Sequence, residues 1–261
     1  MTLLTPSGAM RAVMGALLYF PSREITQAPD QAGLEFVELG IDTEDGETLH
    51  GWWVRAAHPP ASGHILLFHG NAGNIGDRVE HAGLLARAGF DVLLFDYRGY
   101  GLSTGAPDEE GTYRDGRAAQ QAMLARPDCD PRRVVYLGES LGGAVAVKVA
   151  LAAPPRALIL QSTFTSLRGA ARWHYPLIPR FLVPDAYPTI SRVGSIRAPV
   201  LVIHGDRDAI VPVAHGRALF DAAPQPKRLC VFDGLGHNDI ISAEGQYARV
   251  VAEWVSQAAG G

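Results

Sequence analysis

The segment Val134-Val135-Tyr136-Leu137-Gly138-Glu139-Ser140-Leu141-Gly142-Gly143-Ala144-Val145-Ala146 admits few conformations. Four apolar, β-favouring residues run into Gly138-x-Ser140-x-Gly142, and an Ala/Val-rich run with few turn signals follows, so the pattern reads strand, sharp turn, helix. Where a strand and a helix nearly touch, the residues beside the turn must be small, and Gly138, Gly142, Gly143 and Ala144 meet that demand. Ser140 then sits at the apex in strained backbone geometry, its hydroxyl exposed at the carboxyl end of a strand. A bare Gly-x-Ser-x-Gly also occurs in ordinary βα loops, so the rest of the chain has to decide.

The flanking sequence supplies the sheet that such a turn requires. Ile65–Phe68, Val92–Phe95, Ala157–Leu160, Val200–Ile203 and Leu229–Phe232 are short, largely apolar runs of the kind buried on both faces of a parallel sheet. Helical segments fall between them. Asp77 and Glu80 offer a capping box for a helix stopping at Gly89, and a helix of about four turns runs toward Arg126 and is closed by Pro127. Tyr247, Val250, Val251, Trp254 and Val255 form one face of a last helix. Leu34–Leu39 and Leu49–Val54, separated by the turn dipeptide Asp45-Gly46, predict an antiparallel amino-terminal edge hairpin. The fold class is therefore α/β, a mostly parallel twisted sheet flanked by helices, with chemistry at the carboxyl ends of its strands.

Two segments depart from this rhythm. Residues 163–198 are rich in aromatics and proline, which suits a small cap insertion over the sheet better than a regular βα unit. Residues 1–20 carry Met10, Val13, Met14, Leu17 and Leu18 on one stripe of a short helix that Pro21 would end. That helix is too short to span a bilayer and makes a poor signal peptide. Docking on its own domain is the expected role, with weak membrane-surface association left open. Residues 21–261 are expected to form a single domain, and the location expected is cytoplasmic.

Composition excludes several classes of function. Of 261 residues, 47% are hydrophobic and 19% charged, which is a globular balance and not a disordered one. The net charge of −4 and the lack of a basic run interleaved with aromatics argue against nucleic acid. Cys129 and Cys230 give no disulfide framework, and no Cys/His spacing resembles a zinc site. Gly70, Gly73 and Gly76 lack the spacing of a phosphate loop.

A serine hydroxyl needs a base, the base an orienting acid, and the developing oxyanion its donors. The loop after Val200–Ile203 reads His204-Gly205-Asp206-Arg207-Asp208, and the loop after Leu229–Phe232 reads Asp233-Gly234-Leu235-Gly236-His237. Ser, Asp, His across successive strand ends is the α/β-hydrolase order. With His69-Gly70-Asn71-Ala72-Gly73-Asn74 and Asp96-Tyr97-Arg98-Gly99-Tyr100-Gly101-Leu102-Ser103 added, the chain over about residues 30–258 resembles the α/β-hydrolase superfamily, nearest to small bacterial serine esterases and depalmitoylase-like hydrolases.

That resemblance implies an α/β-hydrolase fold with Ser140 as nucleophile, His237 as base and then acid, and Asp208 as orienting acid, while Asp206 serves its own turn. Backbone N–H groups of Leu141 and Asn71 would form the oxyanion hole. Phe164, Trp173, Tyr175, Leu177 and Phe181 are candidates for an acyl pocket. His69 and His204 are expected to bond their own loops, and Asp96 and Arg98 to form a loop-ordering pair. The implied activity is metal- and cofactor-independent hydrolysis of small to medium acyl esters. Thioester cleavage (depalmitoylation) and aminopeptidase-type amide cleavage by the same triad stay open, as does a catalytically inactive binding protein. An amine-holding role would fall to Glu139 or Asp185.

Overall fold

Continuously apolar strands alternating with helices build a three-layer α/β structure. The computed structural model describes residues 19–174 and 185–258. The strands are β1 (Phe20–Pro21), β2 (Phe36–Asp42), β3 (Thr48–Val54), β4 (Gly63–Phe68), β5 (Ala72–Gly73), β6 (Phe90–Phe95), β7 (Val134–Glu139), β8 (Ala157–Gln161), β9 (Val200–Gly205) and β10 (Lys227–Phe232). The helices are α1 (Val79–Arg87), α2 (Glu109–Leu124), α3 (Leu141–Ala152), α4 (Leu167–His174), α5 (Thr189–Val193), α6 (Val213–Ala222) and α7 (Glu244–Gln257). Eight strands form one sheet in the order β10-β9-β8-β7-β4-β6-β3-β2. It is parallel except at the amino-terminal edge, where β2 pairs with β3 and β3 with β6 antiparallel.

The period-two geometry of a strand explains why these runs are apolar throughout. Leu66 and Phe68 face a core shared with Tyr113 and Met123 of α2 and Val145 of α3, whereas Ile65 and Leu67 face one shared with Leu85 of α1 and Val251 of α7. Helix α3 is buried over most of its length. Ser140 thus lies where the most enclosed helix meets a central strand.

Four local expectations change. The capping box lies earlier than Asp77 and Glu80: the Asn74 side chain accepts from Gly76 N while Asp77 accepts from Asn74 N, opening a 3₁₀ turn that leads into α1. Helix α2 ends at Leu124 and is capped by Asp108, whose carboxylate accepts from Gly111 N at 2.6 Å. Helix α6 is an element that the sequence patterns do not predict: half of its apolar residues are alanines and only Gly216 and Leu219 are buried. Most of the amino-terminal helix expected over 1–20 lies outside the described residues, but Phe20 is extended and pairs with Ala72. Tyr19 beside it is buried, its hydroxyl 2.6 Å from that of Tyr187. Helices α4 and α5 lie between β8 and β9.

The turn at Ser140 depends on missing side chains. A Cβ on Gly138 would stand 2.4 Å from Gly143 Cα, and one on Gly142 would stand 2.0 Å from the Phe68 carbonyl oxygen. Gly142→Ala is therefore expected to destabilise the fold by about 2–3 kcal/mol, the range of an overpacked core. Gly245→Ala, with nothing within 4 Å, should be neutral or stabilise by up to about 1 kcal/mol. Urea midpoints check both, and equal midpoints for the two variants would contradict this account of the turn.

Candidate active site

Ser140 has φ 53° and ψ −113°, a conformation that costs an L residue energy and is retained only where its surroundings enforce it. Its N–H donates to Gln161 O at 2.8 Å, and its carbonyl accepts from Gly143 N at 3.1 Å. Strand β8 thereby pins one side of the turn and helix α3 the other.

The two loops after β9 and β10 meet through a carboxylate. His237 Nδ1 lies 2.7 Å from Asp208 Oδ2. Asp208 Oδ1 accepts from the backbone N–H groups of Ile210 at 2.9 Å and Val211 at 2.7 Å. Burial alone would push this carboxyl up, but hydrogen bonds from His204 and His237 and from Val211 N hold it well below the usual carboxylate range. An ionised Asp208 accepts, so Nδ1 of His237 carries the proton and Nε2 is left as the base. Asp206 instead accepts from Gly234 N at 2.6 Å, serving its own turn. Among the described residues no hydrogen bond joins Ser140 Oγ to His237, a contact that commonly tightens only with substrate bound.

His204 does more than bond its loop. Its Nε2 lies 2.7 Å from Val211 O and 3.2 Å from Asp208 Oδ2. A carbonyl only accepts, so Nε2 carries the proton and supports both groups. A Cβ on Gly216 would stand 2.5 Å from His204 Nδ1, so the glycine makes room for this ring. The sequence signal was present, a histidine four residues before the acid, but only the fold shows it reaching forward.

The loop after β4 is held from below. His69 Nδ1 donates to Gly70 O at 2.7 Å, Tyr97 donates to His69 O, and Tyr100 donates to Asn71 O at 2.8 Å. Gly70 lies against Ser140, whose Cβ would be 3.7 Å from a Cβ on that glycine. The N–H of Leu141 opens α3, among the first four that lack an acceptor within the helix. Asp96 and Arg98 do not pair with each other. Asp96 accepts from Ile75 N at 3.0 Å, while Arg98 binds Asp115 at 2.8 Å and Asp45 at 2.9 Å. Both contacts still order loops, but different ones.

Glu139 faces Arg78, Nε to Oε2 at 3.2 Å, and exposed Asp185 faces Arg168 at 3.5 Å. Phe164 is buried against Tyr187, and Trp173 is 63% exposed on α4. Tyr175, Leu177 and Phe181 lie outside the described residues. Among the described residues no group of three or more His, Cys, Asp or Glu is disposed to hold a metal ion. No described helix is long and apolar enough to cross a membrane.

A sharp strand-to-helix turn bearing serine, with an acid and a histidine on later strand ends, defines the class of α/β hydrolases. The α/β-hydrolase fold profile matches residues 63–188, and a serine aminopeptidase profile matches residues 187–242. An uncharacterised protein of Mycobacterium tuberculosis is 45% identical over 224 residues, covering 85% of this chain and 80% of that one. Human alpha/beta hydrolase domain-containing protein 17B is 34% identical over 216 residues, covering 82% and 73%. Among solved structures, an alpha-beta hydrolase from Vibrio vulnificus superposes with TM-score 0.78 at 20% identity, covering 96% and 95%. An esterase of Pyrococcus furiosus superposes with TM-score 0.75 at 22% identity, covering 92% and 97%. The chain belongs to the α/β-hydrolase superfamily.

Two buried histidines set an acid limit on this architecture. Burial pushes His69 and His81 down to about 4, so both stay neutral in the fold while the unfolded chain titrates near its usual value of about 6.5. A proton taken up only on unfolding removes stability as pH falls from about 6.5 to 4. His50 is raised despite its burial, through Asp96 and Glu38, and is charged in both states across most of that window, adding little slope. Asp115, raised to about 6 by burial, binds its proton in the fold before the unfolded chain does and offsets about one of the two histidines, so unfolding free energy is expected to drop by about 1 kcal/mol per pH unit near pH 5. Urea titrations from pH 7.5 to 4.5 measure it, and a flat profile would contradict the burial of these rings.

Proposed function

We propose that the protein is a serine carboxylic ester hydrolase working through an acyl-enzyme. The observation that carries this reading is the pairing of a strained serine at the β7–α3 turn with a histidine already hydrogen-bonded to an ionised acid on the neighbouring strand ends. Ser140 Oγ attacks the ester carbonyl carbon while His237 Nε2 takes its proton. The carbon–oxygen bond to the alcohol then breaks, and His237 returns the proton to the departing oxygen. Water, activated by the same nitrogen, releases the acid and regenerates Ser140. Asp208 stabilises the imidazolium formed in both halves, and His204 holds Asp208 in position.

The N–H of Leu141 and that of Asn71 are the proposed donors to the oxyanion, the first from the start of α3 and the second from the anchored loop after β4. Phe164, Trp173, Tyr175, Leu177 and Phe181 remain the candidates for the acyl pocket. A substrate ammonium is less well served, because Glu139 and Asp185 already face arginines. For that reason ester cleavage is preferred over aminopeptidase chemistry, with thioesters as the nearest alternative substrate.

On p-nitrophenyl esters of increasing chain length, Ser140→Ala should lower kcat by about 10⁴-fold or more with the fold intact. Asp208→Asn should cost about 10³–10⁴-fold, whereas Asp206→Asn should stay within about threefold, the effect of a loop hydrogen bond alone. A folded Ser140→Ala enzyme with half its activity, or the reverse ranking of the two aspartates, would overturn the assignment.

A further inference from the structure

Beside the turn at Ser140 lies a polar cavity of about 300 Å³ whose lining includes Arg78, His81, Glu139, Gln161 and Asn238. Its lining includes the chain neighbours of both Ser140 and His237. Glu139 precedes Ser140, Gln161 O holds Ser140 N, and Asn238 follows His237.

Two polar atoms are left open there. Gln161 is 2% exposed, and its Oε1 accepts from Tyr247 at 2.7 Å. Tyr247 in turn lies 2.8 Å from His81 Nε2. The tyrosine's one proton is given to Gln161, so the neutral His81 donates to Tyr247. This chain fixes the amide with Oε1 occupied, and its Nε2 donates to nothing among the described residues. Glu139 Oε2 accepts from Arg78 Nε at 3.2 Å, while Glu139 Oε1 accepts no hydrogen bond among the described residues. Neither open atom is sealed in the core.

An unused amide donor and an unused carboxylate acceptor in one cavity suit a group that both gives and accepts. That group is a hydroxyl. The lining carries Asp77 and Glu139 against Arg78, so a carboxylate is repelled; an ammonium is drawn to the two carboxylates but has no lone pair to accept from Gln161 Nε2, whereas a hydroxyl serves both open atoms. Position adds the role. In the proposed reaction the departing alcohol takes its proton from His237, and Asn238 brings the cavity beside that histidine.

We infer that this cavity is a leaving-group subsite that recognises a hydroxyl-bearing alcohol, so that the preferred substrates are monoesters of polyols. Gln161 Nε2 and Glu139 Oε1 bind the free hydroxyls, and the alcohol leaves from beside His237. The inference rests on the serine-hydrolase reading.

The test compares glyceryl monobutyrate, propyl butyrate and 3-aminopropyl butyrate by titration of released acid, alongside fluorophosphonate labelling of Ser140. The glyceryl ester is expected to exceed the propyl ester in kcat/KM by about tenfold, equivalent to about 1.4 kcal/mol. Gln161→Leu should bring that ratio to about twofold or less, and Tyr247→Phe, which frees the amide without touching substrate, should reduce it by about threefold. Equal kcat/KM for glyceryl and propyl esters in an enzyme that labels at Ser140 would overturn the subsite alone. So would a glyceryl preference unchanged in both variants, or a lead for the aminopropyl ester. Absence of labelling together with absence of hydrolysis would overturn the serine-hydrolase reading and the subsite with it.

Discussion

The structure depends on how closely β7 and α3 approach at Ser140. The serine is held at positive φ because the chain must reverse from strand to helix while Gly138 and Gly143 almost touch and Gly142 lies against the β4 backbone. A conformation this costly persists only when several neighbours fix it, and here they are the Gln161 carbonyl and the first turn of the helix. The same approach brings the loop after β4 against the serine, so one steric constraint sets both the nucleophile and the segment proposed to face the oxyanion. The parallel sheet supplies the rest, since it ends β7, β8, β9 and β10 on one side.

Asp208 is the electrostatic counterpart of that turn. Two backbone N–H groups and two imidazoles surround one buried carboxylate, and together they outweigh the cost of removing its charge from water. Holding Asp208 ionised fixes the proton of His237 on Nδ1, which is what leaves Nε2 free to act. The Arg78–Glu139 pair and the His81–Tyr247–Gln161 chain form a second polar group next to the turn at Ser140. Buried polar groups of this kind add little to stability, and their open atoms give them a use in recognition.

Much of this was legible in the sequence because it is written in short patterns. The turn at Ser140, the apolar strands and the edge hairpin around Asp45-Gly46 rest on local residue types, whereas the choice of Asp208 over Asp206 rests on the resemblance to the α/β hydrolases. The order of strands and the contacts between remote elements rest on neither. Arg98 reaches Asp45 and Asp115 instead of the neighbouring Asp96, because the sheet brings the β2–β3 turn and α2 beside it. His204 reads as a strand-end residue until β9 is folded back over Asp208. Helix α6 packs through only Gly216 and Leu219 as buried residues, so its sequence carries no wide apolar stripe. The chain from His81 to Gln161 joins α1, α7 and β8, and no spacing along the sequence announces it.

The central claim is that Ser140 carries the acyl group during turnover. Mixing the enzyme with p-nitrophenyl butyrate, quenching in acid within the first turnover and measuring peptide masses tests it directly. The account predicts one added butyryl group on the peptide containing Ser140, which disappears when quenching is delayed until substrate is exhausted. Hydrolysis at full rate with no acylated peptide, or with the butyryl group on another residue, would contradict it.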